Sequence, residues 1–281
     1  MSKIAVVGLA RTGSTRLPNK VIYDLGGKPA FVQILERITH YLSADYVVIA
    51  CTRDARDDPI ELLAKRYGID CFRGNQSMGA RYVSVANKLG IKEDDWWVGA
   101  PCDGALGLAE WIPWAIEQAD EYGCDSIFVD IPQGTLVAGF WTLAIPGRWH
   151  FVRQALEKMT AIDELGGATF GPDEFHFGAK KYLVVHFPPE YLVSWPWGHL
   201  TLDHPVQALV IKEIYRQLYK GKPIDALDVY RLFQREPRIA QMIPLTLPLA
   251  NQPVLPGQEQ SPILASIRLN AEVVELTWEG G

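Results

Sequence analysis

The chain has 281 residues, 48% of them hydrophobic and 21% charged, which suits one large globular unit with an ample buried core. A net charge of −6 and a pI near 5.6 argue against a protein that coats nucleic acid, yet leave room for a nucleotide bound by a local cationic cluster. No run approaches the roughly 18 apolar residues of a membrane span, and the chain opens on a strand-like run instead of a signal peptide. Cys51, Cys71, Cys102 and Cys124 form no CxxC pair, so thiolate metal sites and disulfide frameworks are not expected.

In chain order, Ile4 to Val7 reads as a buried strand that breaks into the loop Ala10-Arg11-Thr12-Gly13-Ser14-Thr15-Arg16-Leu17-Pro18-Asn19-Lys20. This loop carries cations and small residues but no acid, a composition suited to polyphosphate. Gly13, Ser14 and Thr15 let backbone amides approach phosphate oxygens. Arg11 and Arg16 can grip them bidentately, and Lys20 adds a movable point charge. Phe31, Ile34, Leu35, Ile38 and Leu42 follow helical spacing, so residues 30–43 read as an amphipathic helix. Tyr46 to Cys51 is a strand, and Pro59 to Tyr67 a helix begun by Asp57-Asp58. A short strand at Asp70–Phe72 leads through Gly74 to a helix near Met78–Leu89. Trp96 to Ala100 is a strand, Leu108 to Tyr122 a helix and Ser126 to Asp130 a strand.

Further on, Val137 to Ile145 reads as a strand entering a subdomain, Trp149 to Thr160 as a helix and Tyr182 to Phe187 as a strand. Gly166 to Gly178, with four glycines, reads as a mobile loop. Pro205 to Tyr219 and Ile224 to Gln234 read as helices, Asn251 to Pro262 as a linker, and 263–278 as a terminal extended segment. Apolar runs alternating with helix-period segments predict an α/β fold whose sheet is largely parallel.

The core Arg11-Thr12-Gly13-Ser14-Thr15-Arg16-Leu17-Pro18-Asn19-Lys20, with Gly27-Lys28-Pro29 after it, resembles the signature of cytidylyltransferases that make CMP-activated sugars. These include CMP-Kdo synthetases and the spore coat polysaccharide biosynthesis cytidylyltransferases. The loop is neither a Walker A sequence nor a GxGxxG fingerprint. The resemblance runs on through Asp57-Asp58-Pro59-Ile60 and Phe72-Arg73-Gly74…Arg81-Tyr82 to about residue 245. It implies a Rossmann-like, mostly parallel sheet flanked by helices, of the nucleotide-diphospho-sugar transferase type. The expected division is a nucleotidyltransferase domain over 1–250, a subdomain inserted at about 134–200, and a linker with a C-terminal arm over 251–281.

The same resemblance implies site residues. Arg11, Arg16 and Lys20 are the expected catalytic cations. Ala10, Thr12, Gly13, Ser14, Thr15, Gln76, Ser77 and Arg81 are the expected nucleotide-binding residues. Cys102-Asp103-Gly104-Ala105-Leu106 stands where the family has Gly-Asp-Cys-Pro-Leu, and Leu200-Thr201-Leu202-Asp203-His204-Pro205 where it has Leu-Thr-Val-Asp-Thr-Pro. Asp103 and Asp203 are therefore the expected Mg²⁺ ligands, although Asp203 also suits a helix N-cap. The histidines show no metal-binding spacing; His176 in the glycine-rich loop and His204 beside Asp203 are the two expected to be within reach of substrate. Implied partners are CTP and a small-molecule acceptor, with no nucleic acid and no membrane, in a cytoplasmic homodimer.

One segment departs from the family. Gly134-Thr135-Leu136-Val137-Ala138-Gly139-Phe140 stands where spore coat-type relatives have Gly-Leu-Asp-Val-Glu-Val-Phe, so two acids become Leu136 and Ala138. With nine tryptophans, Trp141, Trp195 and Trp197 among them, this points to an altered acceptor side. A glycosyltransferase is the competing enzyme class, but its Asp-x-Asp does not occur here. An inactive nucleotide-binding module is the other alternative.

Overall fold

The computed structural model describes residues 2–140, 145–164, 179–243 and 262–280. Its first strand, β1 (Ile4–Leu9), sits at the centre of the sheet and is buried on both faces. Val6 packs into the cluster that contains Phe31, while Ala5 and Val7 face the cluster of Tyr82, Trp97 and Trp149. That alternation is the period of a strand covered on both sides.

After the 10–20 loop and a 3-10 turn at Lys20–Ile22, β2 (Asp24–Leu25) and β3 (Lys28–Pro29) form a small hairpin. Helix α1 (Ala30–Tyr41) follows at once and buries Phe31, Ile34, Leu35 and Ile38, the spacing expected of it. Then come β4 (Tyr46–Thr52), α2 (Asp58–Arg66), β5 (Asp70–Gly74) and α3 (Met78–Leu89). Next are β6 (Trp96–Pro101), α4 (Ile112–Tyr122) and β7 (Ser126–Val129). Helix α4 starts at Ile112, later than the predicted Leu108, because Pro113 sits in its first turn, where a missing N–H costs nothing.

The middle of the chain corrects one expectation. The segment predicted as a strand over Val137–Ile145 is instead helix α5 (Leu136–Phe140) followed by β8 (Ile145–Arg148). Leu136, Val137 and Phe140 lie on one side of a helical turn and are buried together. Gly139 is required there, since a Cβ at that position would collide with the Trp195 ring.

Helix α6 (Trp149–Glu164), β9 (Lys181–His186), α7 (Pro205–Leu218), α8 (Ala226–Arg235) and α9 (Pro237–Ala240) complete this part of the fold. The predicted mobile loop 166–178, with His176, lies outside the described residues, as does the linker up to 261. The terminal segment expected to be extended is half helix, α10 (Pro262–Asn270), and half strand, β10 (Glu272–Thr277).

Among the described residues the main sheet runs β10-β9-β7-β8-β6-β1-β4-β5. Its pairings are parallel except those of β8 with β6 and β7, so the mostly parallel α/β expectation holds. From β1 the chain winds outward through β4 to β5, then returns to place β6 on the other side of β1. The loops leaving the carboxyl ends of β1 and β6 therefore flank a topological switch point, where open α/β sheets bind ligands. No helix among the described residues is long and apolar enough to cross a membrane.

Candidate active site

Two groups of residues meet at this switch point. The first is the small cleft, about 60 Å³, between the loop after β1 and the end of β4. Arg11, Gly13, Asp54, Arg56 and Gln76 are among its walls. Thr12 is 5% exposed and anchors the loop from beneath. Its amide and hydroxyl donate to Asp57 Oδ1 at 2.8 and 2.7 Å, and the Thr52 amide donates to Asp57 Oδ2 at 3.0 Å. Burial opposes the charge on Asp57, but these donors more than offset it and hold its carboxyl below the usual range. Asp57 thus clasps the loop to the end of β4; it occupies the N-cap position of α2, as its place before Pro59 had suggested, but its side chain makes no capping bond there. The clasp was hidden in the sequence, since Thr12, Thr52 and Asp57 are brought together only by the pairing of β1 with β4.

Ala10 is likewise buried and extends the β1–β4 pairing through its amide to the Ala50 carbonyl, 3.1 Å away. Gly13, Thr15 and Arg16 are exposed at the mouth of the loop, and Ser14 is half-buried. Ser77 sits at the N-terminus of α3, and Arg81 lies one turn in. Arg81 is 3% exposed, with its stem against Gly74, and its Nε and Nη1 have no partner among the described residues. Burial holds its pKa below the ordinary arginine value. A guanidinium kept this dry with free N–H groups is an electrostatic demand for acceptor oxygens.

The second group is built around Lys20. Its ammonium lies 2.7 Å from Asp103 Oδ2 and 2.9 Å from Asp203 Oδ1, and Arg16 Nη2 reaches the same Asp203 oxygen at 3.0 Å. The two aspartates, 100 positions apart, converge because the Leu202 amide donates to the Asp103 carbonyl at 2.8 Å. The N-cap of α7 is His204, whose amide is held by Gln207 Oε1 at 3.0 Å, so Asp203 is released from capping and faces Lys20. Burial works against the charge on Lys20, yet Asp103 and Asp203 outweigh it and raise the ammonium pKa. Asp203 is held low, as Lys20 and Arg16 overcome its own burial.

On the side where an altered acceptor region was expected, Leu136 is wholly buried and only Ala138 is half-exposed. Trp195 is core, stacked on Phe233 with ring centroids 5.3 Å apart, and Trp197 packs edge-on against both rings. Leu136 and Trp195 therefore serve packing and not a binding wall, while Trp141 lies outside the described residues.

A family model described as Cytidylyltransferase matches residues 5–100, the stretch from β1 to the end of β6 that carries the Arg11–Lys20 loop. A 3-deoxy-manno-octulosonate cytidylyltransferase of Francisella tularensis is 33% identical over 98 residues, 34% of this chain and 37% of that protein. An uncharacterized protein of Methanocaldococcus jannaschii is 36% identical over 74 residues, 26% of this chain and 30% of that protein. The chain thus spans about a third of the length of the curated relatives it matches. A solved cytidylyltransferase from Leptospira borgpetersenii superimposes with a TM-score of 0.64 at 21% identity, covering 91% of this chain and all of that one, a likeness of fold.

Proposed function

We propose that this chain is a Mg²⁺-dependent cytidylyltransferase that moves CMP from CTP to an oxygen of a small acceptor and releases pyrophosphate. The observation that carries this reading is the shared contact of Lys20 with Asp103 and Asp203 beside a loop of the cytidylyltransferase family. Exposed Arg11 and Arg16, with Lys20, are placed to neutralise a triphosphate and the pyrophosphate that leaves it. Thr12 supports this by holding the loop to Asp57, and Arg81 by offering buried N–H groups to the nucleotide. The acceptor's oxygen forms the new bond to the α-phosphorus as the bridging P–O bond breaks, the electron pair departs with pyrophosphate, and a hydroxyl acceptor gives its proton to solvent water. Positioning and charge neutralisation suffice, and no covalent protein intermediate is needed.

The donor set fits magnesium. Two carboxylates already converge on one cation, and hard oxygen ligands are what Mg²⁺ takes alongside its waters and substrate phosphates. Asp103 and Asp203 would hold the ion, which would polarise the α-phosphate, while Lys20 shifts its contact toward phosphate oxygens. The acceptor is a sugar hydroxyl, phosphate or phosphonate.

Pyrophosphate release is the test, with each nucleoside triphosphate tried against acidic sugars, sugar phosphates and phosphonates. CTP-specific release that requires Mg²⁺ supports the reading. Release of a nucleotide from a sugar donor would mark a glycosyltransferase, and no release with any pair would mark an inactive module. Either of those results refutes the proposal.

A further inference from the structure

A second cavity, about 320 Å³, lies between α1 and the turn that follows α7. Its walls include Lys28, Glu36, Arg37, Tyr215, Tyr219 and Lys222. The volume is that of a metabolite site, five times that of the cleft beside the Arg11 loop. Tyr215 lies ten residues beyond Pro205 on α7, about 15 Å along the helix from its start beside Asp203. An occupant of this cavity is therefore not the acceptor of the transfer reaction.

Arg37 gives the cavity its chemistry. It is 2% exposed; its Nε donates to the Gly107 carbonyl at 2.6 Å and its Nη2 to the Ile224 carbonyl at 2.8 Å. Its Nη1 is buried without a partner, and no carboxylate pairs with it among the described residues. A buried guanidinium held only by carbonyl groups has no counter-charge beside it and leaves both Nη1 hydrogens unused. Glu36 is engaged by Lys28, whose Nζ lies 2.8 Å from Glu36 Oε1. The exposed Lys222 stands at the rim. Three cations against one carboxylate leave the walls with an excess of two positive charges at neutral pH, His40 being counted as neutral.

We propose that this cavity binds a small phosphomonoester. A phosphomonoester carries close to two negative charges at pH 7 and accepts hydrogen bonds on three oxygens, matching the unspent charge of Arg37 and Lys222. The Tyr215 and Tyr219 rings, centroids 5.5 Å apart and tilted 41° to one another, give the cavity aromatic surface for the organic part. The inference stands independently of the nucleotidyl-transfer reading, since none of these residues belongs to the Lys20 cluster.

Isothermal titration of the full chain with inorganic phosphate and with glucose 6-phosphate tests it, glucose serving as the uncharged control. Binding of either phosphate, with glucose silent, is the expected result. Lys222→Glu reverses an exposed rim charge without touching the core and should weaken binding at least about tenfold at an unchanged melting temperature. Arg37→Lys, which loses the fork while keeping the charge, should also weaken binding. Lys20→Ala should leave the phosphate affinity of this cavity intact. The proposal is overturned if neither phosphate binds, or if Lys222→Glu binds phosphate as the parent does. Loss confined to Lys20→Ala would assign the phosphate to the nucleotide loop and refute it equally.

Discussion

Replacing Lys20 with alanine removes the cation shared by Asp103 and Asp203 and leaves two carboxylates facing one another, with only the exposed Arg16 near Asp203. The side chains of Lys20, Asp103 and Asp203 are 14%, 32% and 18% exposed, so the cluster lies between a surface pair and a buried one. Exposed pairs contribute about 0–1 kcal/mol and breaking a buried pair costs about 3–5, which places Lys20→Ala near a loss of about 2 kcal/mol at pH 7. For a chain of this size that is a fall of roughly 6 °C in melting temperature. Asp203 has a depressed folded pKa, so its contribution is present above its unfolded value of about 3.9 and disappears as pH falls through the folded value. The gap between parent and variant should therefore be open at pH 7 and close below about pH 4. Mg²⁺ supplies a second check, read without any turnover. An ion that takes the vacated place between the carboxylates should restore about 1.4 kcal/mol at ten times its dissociation constant. The parent, whose own ammonium competes for that place, should gain less. A variant as stable as the parent across this pH range, and indifferent to Mg²⁺, would refute both the electrostatic account of the cluster and its role as an ion site.

Two further outcomes are expected. Asp57→Asn should cost about 3 kcal/mol by urea unfolding at pH 7, because an amide nitrogen would then face a buried threonine donor; the loss should vanish as pH falls below about 4, and an unchanged midpoint would exclude the clasp. Leu136→Asp should unfold or severely destabilise the chain whereas Ala138→Glu should be tolerated. Equal tolerance of the two, measured by thermal melting, would contradict the placement of Leu136 in the core.

Much of the α/β pattern was legible along the chain, because each strand and helix writes its own local period. Val6 against Ala5 and Val7, or Phe31 with Ile34, Leu35 and Ile38, can be read without knowing any neighbour. The cationic loop was legible for the same reason, its residues being contiguous and unbalanced by any acid. Where local signals conflicted, reading failed. Leu136–Phe140 is apolar enough for a strand, but it packs as a helix with Gly139 against the Trp195 ring, a neighbour more than fifty residues away in the chain. Asp57 reads as a helix starter until the β1–β4 pairing delivers Thr12 to its carboxylate. Residues 263–278 read as extended, but the partner that draws Glu272–Thr277 into the sheet is β9, some 90 residues earlier in the chain. The sequence alone determined which chemical groups this protein carries and which segments form regular structure. Only the tertiary structure decided that Lys20 stands between Asp103 and Asp203, since contacts across 83 and 183 positions depend on sheet order and loop packing, which no local period encodes.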